Sequence, residues 1–175
     1  MHAAITRAWA SASPCTCRLA LGRGFTLIEM LTVVSVIAVV AAIAAPGMRS
    51  FVAGQRIKAL SYDMTADLLL ARSEALKRNT PVSMTAASGT DWASGWALAA
   101  SGVNISTRNV ANESVTFSAA PSTTIPSTIT FDVNGRSSTT VRMTIESSAA
   151  PGNNAKRCIQ LDLSGRARSA VGVCT

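Results

Sequence analysis

Histidine occurs once, at His2, and acidic residues number only 9 against 16 lysines and arginines. A single histidine at the very start of the chain removes histidine-based acid–base catalysis and histidine-rich metal sites. No nucleophile elbow, phosphate loop or metal-ligand cluster is present either, so the sequence reads as a non-enzyme without a cofactor. Aromatic residues make up 5% and charged residues 14% of 175 positions. So little charge excludes a disordered chain, which is polar and highly charged. What is there is apolar weight, 48% of the residues, with a mean hydropathy of +0.30. At about 150 residues per domain the length is that of one domain, and this hydropathy is too high for an ordinary soluble one, so the apolar weight must be concentrated somewhere. The formal charge of +7 favours an anionic partner, nucleic acid or a membrane surface.

The apolar weight sits in residues 25–45, FTLIEMLTVVSVIAVVAAIAA, where Glu29 is the one charge and neither glycine nor proline occurs before Pro46-Gly47. About 20 such residues span a bilayer as a helix. The preceding segment has three arginines and no acid, which fits a secretory signal peptide or a retained anchor. The run exceeds the roughly 7–15 residues of a signal-peptide core. No small-x-small cleavage site clearly separates it from the chain beyond, and a helical pattern continues past Pro46. A retained anchor is therefore favoured. An acid inside a span costs a few kcal/mol and is usually functional. The positive end of the helix dipole helps Glu29, and a cationic partner is still called for.

Gly24-Phe25-Thr26-Leu27-Ile28-Glu29 resembles the cleavage and methylation motif of type IV pilins and type II secretion pseudopilins, GFTLIE. The resemblance implies a cut by prepilin peptidase between Gly24 and Phe25, and methylation of the new N-terminal Phe25. It also implies that Glu29, the fifth mature residue, pairs with the N-terminal amine of a neighbouring subunit. Residues 1–24 become a removed leader, 25–45 the transmembrane and assembly half of the N-terminal helix, and 46–175 a periplasmic head. The implied location is the bacterial inner membrane, single-pass, before assembly with other pilin subunits into a pilus or pseudopilus. Pro46 takes the place of the helix-breaking proline that pilins commonly have, predicting a bend. The leader departs from the pattern in being long and in holding Trp9, Cys15 and Cys17, to which no role is assigned. Beyond it, 13 basic residues face 9 acidic ones, a charge of +4.

From Met48 to Arg78 the pattern predicts an amphipathic helix. Ile57, Leu60, Met64, Leu68, Ala71 and Ala75 form the stripe to be buried, and Arg56, Lys58, Asp63, Asp67, Arg72, Glu74, Lys77 and Arg78 fill much of the remainder. Asn79-Thr80-Pro81 ends it. Seven short strands come next, at Val82–Ala86, Gly95–Ala99, Ser114–Ser118, Ile129–Val133, Thr140–Glu146, Cys158–Leu163 and Ala167–Val173. Turns fall at Ser88-Gly89, Asn134-Gly135, Pro151-Gly152-Asn153-Asn154 and Ser164-Gly165. The expected fold is α+β and pilin-like, a long N-terminal helix packed on an antiparallel sheet. FDVNGR at 131–136 echoes LDLSGR at 161–166, which predicts two similar turns. ARSEALKR at 71–78 and DWASGW at 91–96 resemble the GspH/FimT subgroup of minor pilins, and Trp92 and Trp96 are read as a pair packing on the helix.

The last twenty residues carry Lys156, Arg157, Arg166 and Arg168 against Asp162 alone, a local +3, whereas residues 46–155 carry only +2. Cys158 and Cys174 are the cysteines left after processing, and in an exported chain they are expected to form a disulfide around 15 residues. Inside that loop sits Gly165-Arg166-Ala167-Arg168. In extended chain, residues i and i+2 point to one side about 6.5 Å apart. That spacing suits adjacent phosphates, and guanidinium binds phosphate through a planar fork. Gly165 is expected to permit the turn and leave the backbone accessible. The element resembles the GRxR motif of FimT-like pilins, which is associated with DNA binding for natural transformation. The alternative is a solvated Gly-Arg turn, as at Gly135-Arg136. Two functions are open. The first is a FimT-like minor pilin that binds the DNA phosphate backbone through Gly165, Arg166 and Arg168, with Lys156 and Arg157 in support. The second is a GspH-like pseudopilin with a structural role in a type II secretion filament.

Overall fold

A computed structural model describes residues 24–110, 114–150, 152 and 155–175. Nearly all of the expected leader, with Trp9, Cys15 and Cys17, lies outside the described residues, as do Pro151, Asn153 and Asn154 of one expected turn. The chain divides into two compact units between Val39 and Val40. Helix α1 spans Leu27–Arg78. Its last turn holds Lys77 and Arg78, where cations favour the negative end of the helix dipole, and both pair with Glu74. Asn79, at φ 51°, takes the left-handed conformation that stops a helix, and Pro81 comes two residues later. Pro46 does not interrupt α1, which is helical on both sides of that residue. One proline removes one hydrogen bond from a ladder 52 residues long.

Eight strands complete the second unit. They are β1 Val82–Ser88, β2 Asp91–Ala100, β3 Val103–Asn109, β4 Val115–Ala119, β5 Thr128–Phe131, β6 Val141–Ser147, β7 Arg157–Leu161 and β8 Ala167–Val171. They form two antiparallel sheets, in the orders β3-β2-β1-β5 and β4-β6-β7-β8. The β layer is thus divided in two, and β3 is a strand that the sequence pattern does not announce. Its residues, VNISTRN, are exposed or half-buried along its length, so the apolar alternation that marks a strand is missing.

All six predicted stripe residues of α1 are buried, and they share one core with apolar residues of both sheets. Trp92 and Trp96 are among its largest members, with ring centroids 6.4 Å apart. The Trp92 indole N–H donates to the Pro126 carbonyl at 2.9 Å. Asp91, at the start of β2, accepts from the Ser94 hydroxyl at 2.6 Å and the Ala93 N–H at 2.9 Å, both between the two tryptophans in sequence. The Ser94 bond first, then the Ala93 bond, holds its carboxyl below the usual aspartate range.

Candidate nucleic-acid interface

At the N-terminal end of α1, Thr26 and Glu29 form a capping box. The Glu29 N–H donates to Thr26 Oγ1 at 3.3 Å, and the Thr26 N–H donates to Glu29 Oε2 at 3.5 Å. Gly24, Phe25 and Thr26 are not helical. From Leu27 to Ala45 the helix is long and apolar enough to cross a membrane. Its side chains are uncovered, with Leu27 78% and Ile43 75% exposed. Exposure on this scale calls for lipid or other protein around the helix.

The C-terminal cysteines are joined, Cys158 to Cys174. Both are buried beside Ala120. The tail that carries Cys174 is held by its N–H donating to Thr144 Oγ1 at 2.9 Å, and by Arg142 Nη1 donating to the Thr175 carbonyl at 2.9 Å. The bridge therefore closes the open end of the β7–β8 hairpin, opposite the turn. A closed loop of this size stabilises by about 3 kcal/mol in the chain-entropy picture. Cys158→Ser/Cys174→Ser is expected to lose about that much, read as a lower denaturation midpoint. The wild type in reductant should match it, and an unchanged midpoint would show the bridge to be idle.

At the other end of the hairpin, the expected echo between the two turns is realised in detail. Phe131 pairs with Ser137 across one five-residue loop, and Leu161 pairs with Ala167 across the other. In the first, the Asp132 N–H donates to the Arg136 carbonyl at 2.9 Å and the Gly135 N–H to the Asp132 carbonyl at 2.9 Å. In the second, the Asp162 N–H donates to the Arg166 carbonyl at 3.2 Å and the Gly165 N–H to the Asp162 carbonyl at 2.8 Å. The two glycines have φ of 69° and 75°. The loops also touch. The Ser137 N–H donates to the Leu163 carbonyl at 3.1 Å, and a Cβ on Gly165 would overlap the Gly135 carbonyl oxygen. Arg72 of α1 packs against both glycines and donates from Nη1 to the Gly165 carbonyl at 3.3 Å. Gly165 is therefore buried rather than accessible, and its role in the loop is to let two backbones meet.

The four cations of the last twenty residues do not form one tip. Arg166 and Arg168 are exposed at the turn end. Lys156 and Arg157 sit four residues back along β7, about 13 Å away at strand rise. Lys156 is already paired with Glu146 at 2.7 Å, and Arg157 is only half-exposed. Strand pairing puts Arg168 on the face shared with Gln160 and Arg142, and Arg157 on the face shared with Ile159 and Leu161. Arg168 lies 3.5 Å from Asp162, both of them more than half exposed, so the pair is weak and competes poorly with a bound anion.

One set of interacting residues is missed by the sequence pattern. Asp67, expected on the polar face of α1, is 5% exposed. It accepts from the Trp96 indole N–H at 2.8 Å and from Arg108 Nε at 2.8 Å, while Arg108 Nη1 reaches Asp63 at 3.2 Å. The Asp67 hydrogen bond is the main reason the Arg108 guanidinium is held above its usual range, against an opposing effect of burial. Its place is legible in principle, because Asp67 stands three residues after Met64 and four before Ala71 on the buried stripe.

The family model described as Type II transport protein GspH matches residues 62–165, which is more than half of the chain. The chain belongs to the GspH family. The model described as Prokaryotic N-terminal methylation motif matches residues 22–45 of this GspH-family chain, over the segment that begins α1. Among solved structures it is similar to the type IV minor pilin FimU of Pseudomonas aeruginosa, with a TM-score of 0.56 and 19% identity. That likeness covers 66% of this chain and 89% of FimU, and it establishes the pilin fold. The minor pseudopilin EpsH of the Vibrio cholerae type 2 secretion system aligns at a TM-score of 0.47 and 11% identity, over 65% of this chain and 95% of EpsH. No curated protein matches the chain. The chain is thus a minor pilin or pseudopilin by family, built on an apolar N-terminal helix that fits membrane anchoring.

Proposed function

We propose that the protein is a minor type IV pilin whose head binds the phosphate backbone of DNA at Gly165-Arg166-Ala167-Arg168, in support of DNA uptake during natural transformation. In this reading prepilin peptidase cuts between Gly24 and Phe25 and Phe25 is methylated. The 25–45 helix holds the chain in the inner membrane with its head in the periplasm. Glu29 then receives the terminal amine of a neighbouring subunit as the chain enters the pilus. The role is one of binding and assembly, without catalysis. The observation that carries the DNA reading is the placement of Arg166 and Arg168, both exposed at the end of a hairpin whose other end is closed by the Cys158–Cys174 bridge. Two guanidinium groups two residues apart at a fixed hairpin end suit phosphates, so binding should be insensitive to sequence and sensitive to salt.

The test is a mobility shift of duplex DNA by full-length protein in neutral detergent, at two salt concentrations. Wild type should shift DNA at low salt and lose affinity as salt rises. Arg166→Ala/Arg168→Ala should weaken binding by roughly tenfold or more and flatten the salt dependence by about two contacts. A double variant that binds as well as wild type would remove the assignment. One observation favours the second reading, a GspH-like pseudopilin with a structural role in a type II secretion filament. The GspH match ends at residue 165, so Arg166 and Arg168 lie beyond what defines the family. Absence of any shift by the wild type would leave that reading standing.

A further inference from the structure

The second loop carries an arginine that the DNA reading leaves unused. Arg136 comes after Gly135 as Arg166 comes after Gly165, and both side chains are exposed. The glycine backbones are in contact. Each arginine Cα is one residue, about 3.8 Å, from its glycine, so the two guanidinium groups spring from neighbouring points on one surface. The acids of the two loops are disposed differently. Asp132 is turned inward, its Oδ1 accepting from the N–H groups of Asn134 at 2.9 Å and Arg136 at 2.8 Å. Asp162 is turned outward, toward Arg168. Among the described residues, Arg136 and Arg166 have no ion-pair partner, while Arg168 has one. Arg72, lying beneath both glycines, adds a third positive charge under the same surface.

We infer that the phosphate-binding surface is built by both Asp-x-x-Gly-Arg loops together, with Arg136 contacting the DNA backbone beside Arg166. This rests on the DNA-binding reading and deepens it. A surface two loops wide engages phosphates across the direction of the β7–β8 hairpin as well as along it. Lys156 and Arg157, at the far end of the hairpin and beyond a Debye length of about 8 Å, are then bystanders despite their closeness in sequence.

Fluorescence anisotropy of a mixed-sequence duplex of about 30 base pairs, titrated with full-length protein in neutral detergent, separates the possibilities. Arg136→Ala should weaken binding roughly 3–10-fold and lower the salt slope by about one, with Arg136→Lys recovering much of the loss. Lys156→Ala/Arg157→Ala removes twice the charge, yet should change affinity less than about twofold. Denaturation midpoints of the two Arg136 variants should stay at the wild-type value, since the loop bonds of residue 136 are made by its backbone. If Arg136→Ala binds like wild type while Arg166→Ala/Arg168→Ala does not, the two-loop surface is wrong and the DNA reading survives. If Lys156→Ala/Arg157→Ala loses as much as Arg136→Ala, only net charge is being read and the inference falls. If the wild type fails to bind, both fall together.

Discussion

Asp67→Ala should cost the head about 2–4 kcal/mol, as much as truncating a large apolar side chain of the core. Bonds from two donor residues disappear with that carboxylate, and they are not equal. Trp96 is 1% exposed, so its indole N–H is left unsatisfied at about 1–3 kcal/mol. Arg108 is 36% exposed and can turn toward solvent and Asp63, so its share is discounted. Its guanidinium, 6.0 Å from the centre of the Trp96 ring, also loses a fixed position over that ring. Asp67→Asn keeps an acceptor for the indole and should cost only about 1 kcal/mol. Urea denaturation followed by tryptophan fluorescence gives both values. Equal losses for the two variants would place the effect in the charge alone, and a loss under about 1 kcal/mol for alanine would dismiss the hydrogen-bond hub as structural.

Gly165→Ala should damage stability and, under the proposed function, DNA binding in one step. An alanine at φ 75° costs about 1–2 kcal/mol in backbone strain. Its Cβ would overlap the Gly135 carbonyl oxygen, which is backbone and cannot rotate aside, so the loops must separate at a further cost of about 1–3 kcal/mol. Separation also withdraws the Gly165 carbonyl from Arg72 and shifts Arg166 relative to Arg136. Affinity for DNA should therefore fall at least as far as in Arg166→Ala/Arg168→Ala, although no charge is removed. Ser164→Ala, one residue earlier and exposed, is the control and should be near neutral in both measurements. Loss of stability with wild-type binding would mean that the arginines act independently of how the loops meet.

The stripe Ile57 to Ala75 is legible in the sequence because one helix face has one job and spacing alone reveals it. The LDLSGR and FDVNGR loops are legible because a tight turn is specified by local residues: an aspartate to accept, a glycine for the left-handed φ. That the two loops lie against each other is not legible. Contact between segments 30 residues apart depends on two sheets and a helix between them, and nothing in either loop encodes its neighbour. The same reason explains the C-terminal charge. Four cations within thirteen positions read as one cluster along the sequence, but a strand that carries them from one end of a hairpin to the other pulls them apart. Strand β3 escapes the pattern because VNISTRN has no face buried deeply enough to leave an apolar alternation. Asp67 is misplaced because an acid is assigned to solvent by default, and only its donors, the buried Trp96 and the half-exposed Arg108, reverse that.

The Thr26–Glu29 capping box closes the helix from its own first turn, and both partners lie downstream of the Gly24–Phe25 bond. Under the proposed processing, removal of everything before Phe25 would leave both bonds of the box in place, and the bond to be cut already lies in non-helical chain that a protease can accept without unwinding it. Glu29 meets a different demand. Its Oε2 accepts the Thr26 N–H in a long bond at 3.5 Å, and under the proposed assembly its other oxygen is open to the amine of another subunit. Entry into a filament would then bring this carboxylate the positive charge that a neutral N–H donor does not supply.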